Sequence, residues 1–191
     1  MQHVLAERIL PQRSALADIS IIVLGSLFVA AMAQLSIPLQ PVPVTGQTLA
    51  VLLVGIVLGS KRGALALTAY LGEGLAGLPV FAEAKSGIAT VLGPTGGYLV
   101  GFIAAAWLIG LLAERGFDRS FLKTLGAMIA GNLVIYAFGL AWLSAFPFIN
   151  GWIGEAGLLS LGILPFLVGD ALKAILAALL LPGAWKFVGK G

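Results

Sequence analysis

Residues 162–181 read GILPFLVGDALKAILAALLL. At about 1.5 Å rise per residue this stretch spans ~30 Å, the thickness of a bilayer's hydrocarbon core. It is a membrane helix with Asp170 and Lys173 inside it. A charge near the middle of such a helix costs roughly 2.5–3.5 kcal/mol on insertion scales. Three positions apart, the two lie on one helical face, with roughly 5–6 Å between their Cβ atoms. That face must look at protein, water or a ligand rather than lipid. Two readings compete: a structural ion pair that anchors another helix, and a polar ligand site inside a helical bundle.

The composition around this helix is that of an integral membrane protein. Of 191 residues 60% are hydrophobic and 10% charged, where soluble domains average about 25% charged; the mean hydropathy is +1.07. The absence of cysteine excludes disulfides, iron–sulfur clusters and thiolate zinc. The only histidine, His3, sits in the polar N-terminal tail and is read as incidental. No GxxxxGK[ST] or HExxH motif occurs, so the chain carries neither a P-loop ATPase nor a zinc hydrolase signature. The net charge of +3 is read as a mark of membrane topology, with no nucleic-acid partner.

The expected architecture is all-α: a single integral membrane domain over 1–191 whose six helices form a bundle, at about 19–37, 47–60, 63–78, 96–112, 124–146 and 162–181. Pro38, Pro41 and Pro43 make residues 36–46 an extended connection. Lys61-Arg62-Gly63 is read as a tight basic turn. Residues 73–93 are glycine-rich and moderately apolar, and are read as a loop or short helix folded over or into the bundle. Pro94-Thr95-Gly96-Gly97 is turn chemistry. The connection at 147–158 carries Trp152 and Glu155, and Pro182-Gly183 is expected to end the sixth helix. If all six segments span, Arg8, Arg13, Lys61, Arg62, Arg115, Arg119, Lys123, Lys186 and Lys190 fall on one side and only Lys85 on the other. The positive-inside rule then places both termini in the cytoplasm. The proline-rich and glycine-rich connections face outward, where both can cap a site near Asp170. Ser26 and Ala30 form a small-xxx-small pair, read either as a partner-docking face or as internal packing.

The strings PVPVTGQTLAVLLVGIVLGSKRGALALTAYL (41–71), GLPVFA (77–82), LGPTGGYLVGF (92–102) and GDALK (169–173) resemble the BioY family, in order and across almost the whole chain. These are the biotin-binding S components of energy-coupling-factor transporters. The resemblance implies a six-helix, multi-pass protein of the cell membrane that captures biotin from outside. Biotin is then the transported ligand, with no cofactor. The implied partners, besides lipid, are a transmembrane coupling subunit and two ATPase subunits. Biotin has a neutral ureido ring, an apolar body and a carboxylate on a four-carbon chain, which suits an apolar pocket with a few directed polar groups. Asp170 can accept ureido N–H bonds and Lys173 can donate to the ureido oxygen; the alternative puts Lys173 on the carboxylate. Thr45 and Gln47 either reach the ligand or cap the second helix. Phe81 and Tyr98 either pack on the ligand or belong to an interfacial aromatic belt. The family's third connection supplies a polar contact, often an asparagine; here Lys85 and Ser86 are the nearest polar candidates. Asn132 is read as bonding another helix in preference to the ligand.

Other functions remain open at this stage. One is an S component for another vitamin, and another is an autonomous facilitative or ion-coupled transporter. An enzyme is disfavoured, because only Asp170, Lys173 and Glu73 offer buried acid–base groups and no nucleophile–base set accompanies them.

Overall fold

The structure, a computed structural model, describes residues 3–9, 14–145 and 157–188. The expected connection at 147–158, with Trp152 and Glu155, lies outside the described residues apart from its last two positions. Arg13 and Lys190 of the charge count also lie outside them. The described chain runs α1 (Leu5–Ile9), α2 (Ala15–Ala33), β1 (Ser36–Ile37), β2 (Val44–Thr45), α3 (Gln47–Leu58), α4 (Ser60–Leu75), a 3₁₀ turn (Ala82–Ala84), α5 (Gly87–Val91), α6 (Gly96–Ala113), α7 (Phe121–Ser144), α8 (Gly157–Gly162) and α9 (Leu164–Val188). Four helices, α2, α6, α7 and α9, are long and apolar enough to cross a membrane. The shorter α3 and α4 pack with them.

α6 is the central helix, in contact with α3, α4 and α7. Small residues set these crossings. A Cβ placed on Gly55 of α3 would lie 2.6 Å from the carbonyl oxygen of Ala106 in α6, so any side chain there pushes the two backbones apart. α2 lies against α4 in the same way. Ser26 is fully buried, and its hydroxyl stands 2.7 Å from Glu73 Oε1 on α4. Ala30 is half-buried against the core. The Ser26/Ala30 face therefore turns into the bundle, which corrects the docking-face reading. The outward face of α2 consists instead of large apolar residues such as Leu16, Leu24 and Leu27.

Helix ends follow their caps. Ser14 has extended backbone and its Oγ accepts the Ala17 N–H at 3.1 Å, so α2 starts four residues before the expected position. It also ends earlier. Residues 36–37 leave the helix ahead of Pro38 and pair antiparallel with Val44–Thr45, Ser36 opposite Thr45. The α3–α4 joint falls at Gly59, whose φ of +87° suits glycine. Lys61 and Arg62 thus sit in the first turn of α4, which corrects the basic turn. Cations at a helix start oppose the helix dipole, and carboxylates answer them. Glu114 Oε1 accepts the Ser60 N–H at 2.8 Å and the Ser60 hydroxyl at 2.7 Å, and Arg62 pairs with Asp18 at 2.9 Å. α9 continues through Pro182 to Val188, so the expected stop at Pro182-Gly183 is also corrected. Pro165 sits in its first turn, where a missing N–H is harmless.

Further contacts gather the N-terminal segment, the α3–α4 joint, the α6–α7 connection and the end of α9 at one pole. Arg119 donates to the His3 carbonyl at 3.4 Å and stacks 4.4 Å from the Trp185 ring centroid. The Trp185 Nε1–H donates to Asp118 Oδ2 at 2.6 Å. Asp118 is 0% exposed. Burial pushes its pKa above the usual carboxylate range, opposed by the Trp185 bond, its own backbone N–H and the Arg119 charge.

Two outcomes are expected. Gly55→Ala destabilises the purified protein by roughly 1–3 kcal/mol, whereas Gly72→Ala, whose Cβ meets nothing within 4 Å, does not; melting in detergent compares them. Asp118 binds its proton more tightly folded than unfolded, so its contribution is full below the unfolded pKa and is lost as pH rises through the folded one. Asp118→Asn keeps an acceptor for Trp185, and its melting temperature should fall less than the wild type's as pH rises from about 4. Parallel pH profiles would contradict this.

Candidate ligand-binding site

At the opposite pole a cavity of about 370 Å³ opens between the helices, within the ~300–1,000 Å³ range of small-ligand sites. Its floor is the polar face of α9. Asp170 is 3% exposed and Lys173 half-buried, with Lys173 Nζ 2.8 Å from Asp170 Oδ1. The ammonium also donates to the Thr45 carbonyl and to Thr48 Oγ1, each at 2.8 Å, so its three protons meet three acceptors. Asp170 Oδ1 also accepts the Thr48 hydroxyl at 2.6 Å, and Oδ2 accepts the Tyr136 hydroxyl at 2.5 Å. This satisfies the requirement that a buried charge be both paired and hydrogen-bonded. Oδ2 has one protein donor among the described residues and keeps acceptor capacity toward the cavity.

The walls are apolar and aromatic: Leu99, Phe102, Ile135, Tyr98 and Phe166. Tyr98 is buried, which removes the aromatic-belt reading. Its hydroxyl donates to the Gly162 carbonyl at 2.8 Å and pins the α8–α9 junction, and its ring meets Phe166 edge-on at 6.1 Å between centroids.

The cavity is roofed by the two connections. Residues 39–43 line it from one side and residues 81–83 with Lys85 from the other. Phe81 is 2% exposed and lies edge-on to Tyr70, over Gly74, where a Cβ would stand 2.0 Å from its ring. A hydrogen-bond chain fastens the two connections together. Thr45 Oγ1 donates to Gln47 Oε1 at 3.0 Å, Gln47 Nε2 to the Tyr70 oxygen at 2.7 Å, and the Tyr70 hydroxyl to the Val80 carbonyl at 3.0 Å. Thr45 also accepts the Gln47 N–H at 3.2 Å. Thr45 therefore combines a capping bond with a place in the cavity wall, whereas Gln47, in the same wall, commits its side chain to Thr45 and Tyr70 and caps nothing. Glu83 and Ala84 hold left-handed backbone, φ 60° and 55°. Gln34 ties this turn down, its Oε1 accepting the Ala84 N–H at 3.1 Å and its Nε2 donating to the Phe81 carbonyl at 3.2 Å. At the mouth, Lys85 pairs with Glu83 at 2.6 Å.

The structure thus brings Asp170, Lys173, Thr45, Gln47, Phe81, Lys85 and Tyr98 to one cavity. Ser86 is corrected: it is absent from the lining, and its carbonyl accepts the Thr90 hydroxyl at 2.8 Å. The bond expected from Asn132 to another helix is not made through Oδ1, which is buried without a partner among the described residues. Thr48, Tyr136, Phe102 and Phe166 were not anticipated. Helical spacing held a signal for two of them. Tyr136 follows the intramembrane Asn132 by four residues, and Phe166 precedes Asp170 by four.

The fold and cavity define a helical multi-pass membrane protein with an internal ligand-sized site open at one pole. The chain belongs to the BioY family, which matches residues 6–190. It is 46% identical to the biotin transporter BioY of Thermotoga maritima over 78% of this chain and 83% of that one. It is 39% identical to the probable biotin transporter BioY of Pyrococcus horikoshii, over 85% and 93% respectively. Among solved structures it resembles the S-component for biotin from an ECF-type ABC transporter. That likeness has a TM-score of 0.75 at 27% identity and covers 92% of this chain and 95% of the other.

The floor network is expected to behave as one unit. Lys173→Met alone leaves a buried carboxylate unpaired and destabilises by roughly 3–5 kcal/mol. Adding Asp170→Asn should recover at least ~1 kcal/mol of that loss, as coupled neighbours do. A double-mutant cycle from denaturation in detergent measures this, and simple additivity would contradict the network.

Proposed function

We propose that this chain is the biotin-binding subunit of a vitamin uptake transporter in the cell membrane. The observation that carries the reading is the Asp170–Lys173–Thr48–Tyr136 floor beneath an aromatic cavity, in a chain of the BioY family. The biotin ureido ring sits on this floor. One ureido N–H is accepted at Asp170 Oδ2, and the ureido oxygen accepts a hydrogen bond from the Lys173 ammonium in place of one of its present acceptors. Phe102, Phe166 and Tyr98 enclose the bicyclic body. The carboxylate lies at the mouth beside Lys85, where it competes with Glu83. Binding at one pole without chemistry makes the chain a carrier rather than an enzyme.

Six spans, with α3 and α4 as the two short ones, put both termini and the basic pole in the cytoplasm and the cavity outside. The grouping of Arg8, Arg62, Arg119 and Lys186 at the pole opposite Lys85 supports this orientation. The chain carries no nucleotide-binding motif. In keeping with its likeness to the S-component for biotin from an ECF-type ABC transporter, release to the inside is driven by partners, a transmembrane coupling subunit with two ATPase subunits.

Titration calorimetry on the purified protein tests the reading. Wild type binds biotin saturably at micromolar ligand or below. Folded Asp170→Asn and Lys173→Met bind at least ~30-fold more weakly. Lys85→Gln loses roughly two- to fivefold for biotin, as befits an exposed ion pair, and nothing for biotin methyl ester. A folded wild type that does not bind biotin would refute the assignment, and a panel of other vitamins would then identify the ligand.

A further inference from the structure

The basic pole holds a second cavity, of about 400 Å³, between the N-terminal segment, the α6–α7 connection and the end of α9. Its lining is His3, Arg8, Arg119, Pro182, Trp185 and Lys186. Three of these six carry permanent positive charge and none carries negative charge. The nearby acids are committed elsewhere. Asp18 holds Arg62, Glu7 contacts Arg62 and His3, and Asp118 is buried behind Trp185 with its Oδ2 on the indole N–H. Among the described residues, Arg8 and Lys186 have no carboxylate partner. Three cations that line one small cavity repel one another, more so at low salt, so the arrangement favours an anion between them.

The surroundings indicate which anion. Ile9 and Phe187, the chain neighbours of Arg8 and Lys186, are 59% and 84% exposed, and Leu122 at the start of α7 is 77% exposed. An indole with a bonded N–H and a stacked guanidinium is suited to the headgroup level of a bilayer. A free phosphate would use the cations but leave these exposed apolar side chains of the same pole in water; a phospholipid uses both. We infer that this groove binds the phosphate of an anionic phospholipid headgroup, with Arg8, Arg119 and Lys186 as the phosphate donors. Arg119 is already oriented by Trp185 and the His3 carbonyl. The lipid would clasp the chain's N-terminal segment to the end of α9. This site is separate from the ligand cavity and does not depend on the ligand's identity. Basic pockets between helix ends are recognised headgroup sites in general, and guanidinium groups match phosphate geometry.

The test uses the purified full-length chain in neutral detergent, with phosphatidylglycerol or phosphatidylcholine added at equal mole fraction and inorganic phosphate as a third arm. Native mass spectrometry reads lipid retention and a thermal melt reads stabilisation. Phosphatidylglycerol is expected to be retained and to raise the melting temperature, phosphatidylcholine and inorganic phosphate much less. Arg8→Gln/Arg119→Gln/Lys186→Gln is expected to cut retention roughly tenfold or more, about the loss of one or more charge-assisted hydrogen bonds. Biotin affinity stays unchanged. If the triple variant does not fold, Arg8→Gln and Lys186→Gln singly, both exposed and without a carboxylate partner among the described residues, should each weaken retention. Lys61→Gln/Arg115→Gln removes two cations outside the groove and should leave the preference intact. Equal retention of the two lipids, or loss of the preference in that control variant, would overturn the inference. So would a full shift from phosphate alone. A wild type without lipid preference whose triple variant fails in cellular uptake would assign the groove to an acidic protein partner instead.

Discussion

A lysine ammonium inside an apolar bundle is tolerated only when each of its protons has an acceptor, and Lys173 meets that condition through three different elements. The Thr45 carbonyl comes from the first connection, Thr48 from α3, and Asp170 from its own helix. Asp170 in turn recruits Tyr136 of α7. One ion pair therefore fixes the rotation of α9 and locks α3 and α7 around it. It also leaves a polar floor under an otherwise apolar cavity. Stability and recognition depend on the same atoms. In the proposed pose, the geometry that lowers the cost of burying the charges is also the one that discriminates a ureido group from a purely apolar ligand.

Most of the remaining charge lies toward the bundle's poles, with Glu73 on the buried Ser26 an exception. Carboxylates from distant parts of the sequence meet the first turn of α4 at one pole: Glu114 on Ser60, and Asp18 on Arg62. The centre is left to close backbone contacts, such as Gly55 on Ala106. The other pole carries the Lys85–Glu83 pair at its mouth and is closed by chain. There the Thr45–Gln47–Tyr70–Val80 relay and the Gln34 fork hold two connections over the cavity. A roof held by a few hydrogen bonds opens more readily than a helix crossing does, which is what a binding subunit needs at its entrance.

Much of this was legible in the chain. Asp170 and Lys173 stand out because charges are rare in such a helix. The prolines at 38, 41 and 43 break the first connection, and the apolar content of 73–93 indicated a segment that folds back. What the sequence concealed was long-range pairing. Lys61-Arg62 looks like a solvated turn because the carboxylates on Arg62 are distant in sequence, Glu7 lying 55 positions away. Ser26 looked like a docking surface because Glu73, its partner 47 positions on, is on another helix. Thr48 and Tyr136 carry ordinary side chains whose role exists only once α3, α7 and α9 converge. Ser86 sits next to Lys85 in sequence but outside the cavity, because both have extended backbone, in which successive side chains point to opposite sides.

The most direct test of the central claim is a structure of this chain with biotin bound. The account requires the ureido ring within about 2.7–3.2 Å of Asp170 Oδ2 and Lys173 Nζ, with the carboxylate toward the mouth near Lys85. A carboxylate on Lys173, or a ligand outside the cavity, would contradict it.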